Sequence, residues 1–255
     1  MFVLGIVGSP RKDGRTNELI DAALRGVESR GVDAKKIYLV DYEIKAYLGT
    51  GGSEDAYHYC PRELSRVCSE ADAIVLGAPV YWGDINGLTK DFMYTVKIDD
   101  ANGKYALGIS IAGGTGKGLL SGIQSIYSFF FHKQFRGIDP TPASRFNFQE
   151  NLKLLEARGS KIAELSREKI LFPGQTQEER WPHVAVYYTS LKYLRCDIVD
   201  EFIMLAEDLI KLSKGGDIDK AKVDLQEALR LMSEGKRAEA AKYAVRSYQT
   251  LYFPA

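Results

Sequence analysis

The feature that most constrains this chain is an alternation of short apolar runs with segments of helical periodicity. Apolar runs of strand length lie at 2–7, 36–40, 73–76 and 105–111, with a weaker one at 138–146. Between them lie segments in which apolar residues recur every three or four positions, as in an amphipathic helix. This alternation is typical of parallel strands joined by helices. The sequence therefore predicts an α/β fold with a doubly wound parallel sheet of five strands.

From Gln175 onward the sequence lacks strand signals and predicts only helices, separated by Gly215–Gly216 and by Gly235. We therefore predict an α/β domain over 1–168 and an all-helical extension over 169–255. The segments on either side of Gly235 have the pattern of a helical hairpin. An apolar stripe in the extension needs a partner surface, either within this chain or on another subunit. That stripe consists of Ile198, Phe202, Leu205, Leu209 and Leu212.

Charge and cysteine content argue against several classes of function. The 255 residues include 34 Lys and Arg and 34 Asp and Glu, and neither half is a charged arm, so we expect no nucleic-acid partner and no anionic membrane partner. The sequence starts without a signal-type segment, and no apolar run approaches the roughly 20 residues of a membrane span, which predicts a cytoplasmic protein. Cys60, Cys68 and Cys196 lack CxxC spacing, so we expect buried thiols rather than disulfides or a metal site.

A polar loop, GSPRKDGRTNELI at 8–20, connects the first strand to the first helix. The free backbone N–H groups and the positive end of a helix that starts near Thr16 suit a phosphate. Ser9, Thr16 and Asn17 offer hydroxyl or amide donors, and Arg11 or Arg15 offers a guanidinium. The alternative is that Thr16 only caps the helix and that both arginines are solvated.

Two familiar phosphate motifs are absent. A Walker motif at Gly116-Lys117 fails because Ile111 stands where its first glycine belongs and Gly118 where its hydroxyl residue belongs. Neither glycine-rich loop contains the GxGxxG fingerprint of a tightly held dinucleotide. A mononucleotide is the ligand that remains.

Two further loops indicate what else the ligand contains. In a doubly wound sheet of order 2-1-3-4-5, the loops after strands one, three and four converge on one point, the topological switch point. The second loop offers aromatic faces for a flat ring, and the third lets backbone approach it closely. Ordinary packing of Tyr81 and Trp82 is the alternative. The residues concerned are Pro79, Val80, Tyr81, Trp82 and Gly83 in the second loop, and Ala112, Gly113, Gly114 and Thr115 in the third.

The stretches GSPRKDGRTNELI, GAPVYWGDINGLTKDF and AGGTGKG, in this order and spacing, resemble the NADPH-dependent FMN reductase family of flavodoxin-like proteins, including its iron–sulfur flavoprotein branch. The resemblance covers about residues 1–168. It implies a flavodoxin-like fold and FMN as the ligand. It also implies that the phosphate lies on Ser9, Arg11, Thr16 and Asn17, and that the flavin ring lies along the second and third loops.

The chain departs from the iron–sulfur branch in one segment. The resemblance implies a cysteine cluster between the second and third strands, but Ile44 to Gly52 contains no cysteine, so we predict no iron–sulfur centre. The helical extension is not part of the common family core. The resemblance further implies a homodimer or homotetramer in which a neighbour helps to close each flavin site.

The sequence therefore predicts an FMN-dependent oxidoreductase that takes hydride from NAD(P)H and passes electrons, by a ping-pong mechanism, to a small-molecule acceptor such as a quinone or a flavin. Tyr81, His58 or His132 has the chemistry to protonate a quinone, but we assign no catalytic residue. The main alternative is an FMN electron carrier that serves a protein partner without nicotinamide turnover. A neutral chain favours the reductase, because typical flavodoxins are strongly acidic. A third alternative is a structural or regulatory protein that kept the fold and lost turnover.

Overall fold

The computed structural model describes residues 1–49, 59–213 and 217–253. Within them, seven strands form one sheet, and every pairing is parallel except that of the two-residue strand β4 with β3. The strands are β1 (Phe2–Val7), β2 (Asp33–Tyr38), β3 (Ala73–Tyr81), β4 (Asp84–Ile85), β5 (Tyr105–Ala112), β6 (Arg136–Gly137) and β7 (Thr141–Ser144).

The sheet confirms the predicted strand order, with one refinement. The order of the strands across the sheet is β2-β1-β3-β5, and both β6 and β7 pair with β5. The predicted fifth strand is therefore two short strands separated by residues 138–140, which include Pro140, a residue that has no N–H to donate to a ladder. The strand β2 starts three residues earlier than predicted, because a half-exposed edge strand with polar residues such as Asp33 lacks a continuous apolar run.

Helices cover both faces of the sheet. They are α1 (Arg15–Glu28), α2 (Arg62–Glu70), α3 (Gly87–Thr95), α4 (Leu119–His132), α5 (Phe148–Glu168), α6 (Gln177–Tyr188), α7 (Ile198–Leu212), α8 (Ile218–Ser233) and α9 (Arg237–Tyr252). On one face α1 packs against α5, and no side chain fits between them at two glycines. A Cβ on Gly159 would lie 1.8 Å from the Ala23 carbonyl oxygen, and one on Gly26 would lie 2.0 Å from that of Glu156.

The other face of the sheet is covered by α2, α3, α4 and α6, which share one apolar core with β1 and β3. The aromatic side chains of α4, predicted to face either the core or a partner, lie mainly in this core, where Tyr127 and Phe130 are fully buried. The Tyr127 hydroxyl donates to the Ile138 carbonyl oxygen, and burial raises the pKa of this phenol.

The last three helices form a separate apolar cluster that also includes Ala112 and Leu119 of the α/β part. The predicted stripe on α7 packs within the chain at its centre, where Leu205 and Leu209 are buried, while Ile198 at one end is 58% exposed. The predicted hairpin is formed by α8 and α9, and Gly235 between them has φ +75°. The Gly215–Gly216 pair lies outside the described residues.

The division of the chain at residue 168 remains a prediction. The helix α6 lies after this point, yet Val184 and Tyr188 belong to the core shared with the sheet. No helix among the described residues is long and apolar enough to cross a membrane.

Candidate functional site

The three predicted loops meet at one edge of the sheet. Val7 of β1 is in register with Gly77 of β3, and Pro79 of β3 with Ile111 of β5, so the ends of the three strands lie side by side. A cavity of about 940 Å³ opens there. Thirteen of the fourteen predicted site residues line it: Ser9, Arg11, Arg15, Thr16, Pro79, Val80, Tyr81, Trp82, Gly83, Ala112, Gly113, Gly114 and Thr115.

The first loop is tied to the start of α3 through Gly8. The Gly8 N–H donates to the Gly77 carbonyl oxygen at 2.7 Å, and its own carbonyl accepts from Asn86 Nδ2 at 2.9 Å and from Thr89 Oγ1 at 3.2 Å. A Cβ on Gly8 would lie 2.1 Å from Thr89 Oγ1, so only glycine fits without a shift. Asn86 and Thr89 are both buried, and they lie in the stretch GAPVYWGDINGLTKDF without having been predicted as site residues.

The start of α1 supplies the remainder of the first loop. Gly14 is the N-cap and no side chain caps this helix, so Thr16 is a buried residue of the first turn rather than its cap. The Asn17 N–H donates to the Gly14 carbonyl oxygen at 2.9 Å. The N–H groups of Arg15 and Thr16 precede this bond and have no acceptor within the helix. Such N–H groups at a helix N-terminus suit an anion.

Asn17 lies outside the cavity lining. Its Nδ2 donates to Asp21 at 3.0 Å, and its Oδ1 accepts from Lys36 Nζ at 2.9 Å and from the Tyr38 hydroxyl at 3.0 Å. These bonds join α1 to β2. The role of Asn17 toward a phosphate remains a prediction.

The second loop is a tight hairpin between β3 and β4. Tyr81 pairs with Asp84, and the two central residues have positive φ, 55° at Trp82 and 88° at Gly83, as a type I′ turn requires. Positive φ is uncommon for an aromatic residue, and the Trp82 side chain is fully exposed. This conformation is therefore not stabilised by burial of the indole, and an outlier of this kind is a typical feature of a ligand site.

The third loop presents bare backbone to the cavity. A Cβ placed on Gly113 or Gly114 would meet no protein atom within 4 Å, so the space in front of this backbone is open. At the end of the same loop the contacts are tight. A Cβ on Gly118 (φ +89°) would lie 2.5 Å from Gly83 Cα. The second and third loops therefore touch backbone to backbone.

The C-terminal helices hold the third loop in place. The Glu201 carboxylate of α7 accepts from the N–H groups of Gly118 and Leu120 at 2.8 and 2.9 Å. The Tyr248 hydroxyl of α9 donates to the Thr115 carbonyl oxygen at 2.8 Å, and Lys117 Nζ lies 5.7 Å from the centre of the same Tyr248 ring. Sequence reasoning missed these contacts, because Glu201 and Tyr248 lie in helical patterns with no motif around them.

The lining also contains residues that the motifs did not single out: Asp13, Gly14, Glu18, Ile111 and Lys117. The lining thus contains three cationic side chains, those of Arg11, Arg15 and Lys117, and two carboxylates. The Arg15 guanidinium lies 5.1 Å from the centre of the Phe148 ring. The balance of charge in the lining is weakly positive, as expected for a site that binds an anion.

The remaining candidates lie elsewhere. His132 lines a different cavity beside Arg180, and His58 lies outside the described residues. Cys60 and Cys68 are buried, and burial raises the pKa of the Cys68 thiol to about 12. Within residues 1–49, 59–213 and 217–253, no three His, Cys, Asp or Glu side chains are grouped to hold a metal ion.

A parallel sheet of this order, with an open site across the ends of its central strands, is a flavodoxin-like α/β fold. The family model described as NADPH-dependent FMN reductase matches residues 1–135, more than half of the chain. The chain therefore belongs to the NADPH-dependent FMN reductase family.

Two relatives and two solved structures are similar over most of the chain. An iron–sulfur flavoprotein of Archaeoglobus fulgidus is 29% identical over 66% of this chain and 82% of its own length. The iron–sulfur flavoprotein MJ1083 of Methanocaldococcus jannaschii is 29% identical over 65% of this chain and 97% of its own. Among solved structures, RosB with a bound formylriboflavin phosphate intermediate has a TM-score of 0.54 and 14% identity, covering 78% of this chain and 92% of that one. A flavone reductase has a TM-score of 0.51 and 16% identity, covering 66% and 64%. At these identities the solved structures support the fold alone.

Proposed function

We propose that this protein binds FMN in the cavity between the three loops and works as an NAD(P)H-dependent oxidoreductase for a small-molecule acceptor such as a quinone or a flavin. The observation that supports this most is the convergence of the three loops on one cavity of about 940 Å³. Cavities of up to about 1,000 Å³ are typical of small-molecule and cofactor sites. Membership of the NADPH-dependent FMN reductase family favours FMN over other mononucleotides.

The residues present fit FMN at both ends of the cavity. At one end, the first turn of α1 and the buried Ser9 and Thr16 offer donors, and Arg11 and Arg15 offer charge to a phosphate dianion. At the other end, the open space before Gly113 and Gly114 suits a flat ring that approaches backbone closely.

When bound, FMN would supply the redox chemistry, which takes up hydride and passes electrons to the acceptor. The protein's part is to hold and orient the ring. The space in front of the Cα atoms of Gly113 and Gly114 is open, and we propose that backbone N–H groups of this loop donate to the ring edge where negative charge builds up on reduction. Tyr81 is a phenol in the lining, but hydride transfer requires no general acid, so we assign no catalytic residue.

We also propose that the protein has no iron–sulfur centre, although its relatives are named iron–sulfur flavoproteins. The chain has three cysteines, whereas iron–sulfur clusters are held by four thiolates. Two of the three, Cys60 and Cys68, are buried. Iron and sulfide analysis of the purified protein tests this, and stoichiometric iron with labile sulfide would refute it.

A homodimer or homotetramer in the cytoplasm, without nucleic-acid or membrane partners, completes the proposal. Exposed apolar groups at the mouth of the cavity, Tyr81 and Trp82, are consistent with a neighbouring subunit there. Size-exclusion chromatography with light scattering tests this part. A monomer at micromolar concentration would contradict it.

The visible absorption spectrum tests the function directly. Purified protein is mixed with FMN and then, without oxygen, with NADPH or NADH, and an acceptor is added last. We expect a bound flavin spectrum that the nicotinamide bleaches and the acceptor restores. Bound FMN that neither nicotinamide reduces would favour the electron carrier instead. Failure to bind FMN would refute both.

A further inference from the structure

The buried carboxylate of Glu201 occupies the N-terminus of α4. Its side chain belongs to α7 and is 2% exposed. Both carboxylate oxygens accept backbone N–H groups, from Gly118 at 2.8 Å and from Leu120 at 2.9 Å. Among the described residues no Lys, Arg or His forms an ion pair with it, so its direct partners are the N–H groups of this helix end.

A helix N-terminus carries about half a positive charge and several N–H groups without intrahelical partners. At the edge of this sheet, α4 follows directly from the third loop, and Gly118 touches Gly83 of the cavity lining. Without Glu201, this positive end would act on the cavity. With Glu201, a carboxylate accepts two N–H groups of this helix end and opposes its positive potential.

The same helices hold the rest of the loop. Tyr248 binds the Thr115 carbonyl, and a Cβ on Gly116 would lie 2.7 Å from Leu205 Cδ2, so α7 packs directly on the loop backbone. Thr115 itself lines the cavity. The position of Glu201 is therefore coupled to the backbone that borders the proposed ring site.

We propose that Glu201 is a positioning residue that fixes the third loop and, through its charge, disfavours the reduced anionic flavin, which lowers the reduction potential of bound FMN. This inference rests on the proposed FMN site. A lower potential makes the bound flavin a stronger reductant toward its acceptor. In this way the helical extension sets a redox property of the α/β site.

The test measures dissociation constants of oxidised FMN and of dithionite-reduced FMN for the ligand-free protein, without oxygen. In Glu201→Gln the charge is lost at nearly constant shape, and we expect binding of reduced relative to oxidised FMN to tighten about fivefold or more. In Glu201→Asp the charge is kept, so both forms should bind more weakly while their ratio stays as in the wild type.

Asp224→Asn is the matched control. Asp224 is another buried carboxylate of the C-terminal helices, but its partner is Arg246 and it does not touch the third loop. We expect it to lower the stability of these helices without changing the ratio. An unchanged ratio in Glu201→Gln, or an equal change in Asp224→Asn, would overturn the inference.

Amide hydrogen exchange provides a readout that does not need the cofactor. In ligand-free protein, the amides of Gly118 and Leu120 should exchange faster in Glu201→Gln than in the wild type or Asp224→Asn. Equal exchange in all three would also overturn the positioning role. If the Gln variant is partly unfolded, the same measurements are made in trimethylamine N-oxide, which favours the folded state.

The proposed function and the role of Glu201 can be refuted separately. A wild-type protein that binds neither form of FMN would refute the proposed function and this inference with it. A wild-type protein that binds FMN normally, with no change of ratio in Glu201→Gln, would refute this inference alone.

Discussion

The first and third loops of the site are held in place by different parts of the chain. The first loop depends on its own strand and helix and on the start of α3, where Asn86 and Thr89 bind the Gly8 carbonyl. The third loop depends on Glu201 and Tyr248, which come from helices near the C-terminus. The proposed phosphate end of the site is thus built within the family core, and the proposed ring end is completed by helices that follow it.

This difference separates the residues proposed to bind the phosphate from those proposed to adjust the redox properties of the ring. The matched family region, residues 1–135, contains all three loops, whereas Glu201 and Tyr248 lie beyond it. Changes in the C-terminal helices should therefore alter the ring end without altering phosphate recognition. Substitutions in the loops and in the C-terminal helices test whether the two ends of the site respond separately.

The largest effect is expected where the second and third loops touch. In Gly118→Ala the new Cβ would lie 2.5 Å from Gly83 Cα, and the backbone keeps φ at +89°. Both the clash and the strain involve backbone, so we expect a loss of about 3 kcal/mol or more in the free energy of unfolding. Urea unfolding measures this. Gly87→Ala is the control, because no atom lies within 4 Å of its added Cβ.

In the first loop, the equivalent change meets a side chain as well as backbone. The Cβ of Gly8→Ala would lie 2.1 Å from Thr89 Oγ1. We expect a cost of about 2 kcal/mol and a measurable coupling, so that Thr89→Ala destabilises the Gly8→Ala protein less than it destabilises the wild type. A purely additive double-mutant cycle would show that the contact between Gly8 and Thr89 does not fix the conformation of the first loop.

The next largest effect concerns the phosphate. Replacing both Arg11 and Arg15 by Ala removes two cationic groups of the lining, and we expect FMN to bind about 10- to 100-fold more weakly. Riboflavin, which lacks the phosphate, should bind as it does to the wild type. Fluorescence titration with both flavins measures this. Lys12→Ala is the control, since Lys12 pairs with Asp41 outside the lining. Equal weakening for both flavins would place the phosphate elsewhere.

A smaller effect is expected at Trp82, where stability and binding should change in opposite directions. Trp82→Asn creates Asn-Gly, the preferred type I′ pair, at a position whose side chain is fully exposed. We expect the free energy of unfolding to rise by about 0.5 kcal/mol, and FMN to bind about fivefold more weakly because an aromatic face is lost. Tyr94→Ala, at an exposed aromatic residue outside the lining, should leave FMN affinity unchanged. Loss of stability in Trp82→Asn would contradict our account of the turn.

The smallest effect concerns acid and the helices that hold the third loop. Hydrogen bonds from Arg237 and from the Val199 N–H hold the pKa of Asp197 at about 2, although burial acts in the opposite direction. Because the folded pKa is below the unfolded value of about 3.9, the stabilisation is complete above about pH 4 and is lost as the pH falls through about 2.

Asp197→Asn should therefore lower the free energy of unfolding at pH 7 by less than about 1 kcal/mol, since the pair with Arg237 is exposed to solvent. The difference from the wild type should shrink as the pH falls below about 4 and vanish only below about pH 2. Urea unfolding at several pH values measures it. A difference that grows as the pH falls would contradict the sign of this coupling.

Much of the sheet and most of the site could be predicted from the sequence. Buried strands such as β3 and β5 are nearly continuous apolar runs, which makes them easy to locate, although β3 continues past its predicted end at residue 76 to Tyr81. The edge strand β2 begins at Asp33, three residues before its predicted start, because its half-exposed residues alternate with polar ones. Thirteen of the fourteen predicted site residues line one cavity, because the ends of parallel strands must meet at the same edge.

The sequence alone determined the fold class, which follows from local periodicity, whereas the strand order is the one that the resemblance to flavodoxin-like proteins implies. Given that order, the rules of parallel sheets require the three loops to meet at one edge. Only the tertiary structure decided that Asn17 binds Asp21 and β2, and that Glu201 binds the start of α4. A carboxylate on an amphipathic helix has the same sequence signature whether it faces solvent or a helix end more than 80 residues away. Which of these occurs depends on how the helices pack, and short-range patterns do not encode that packing.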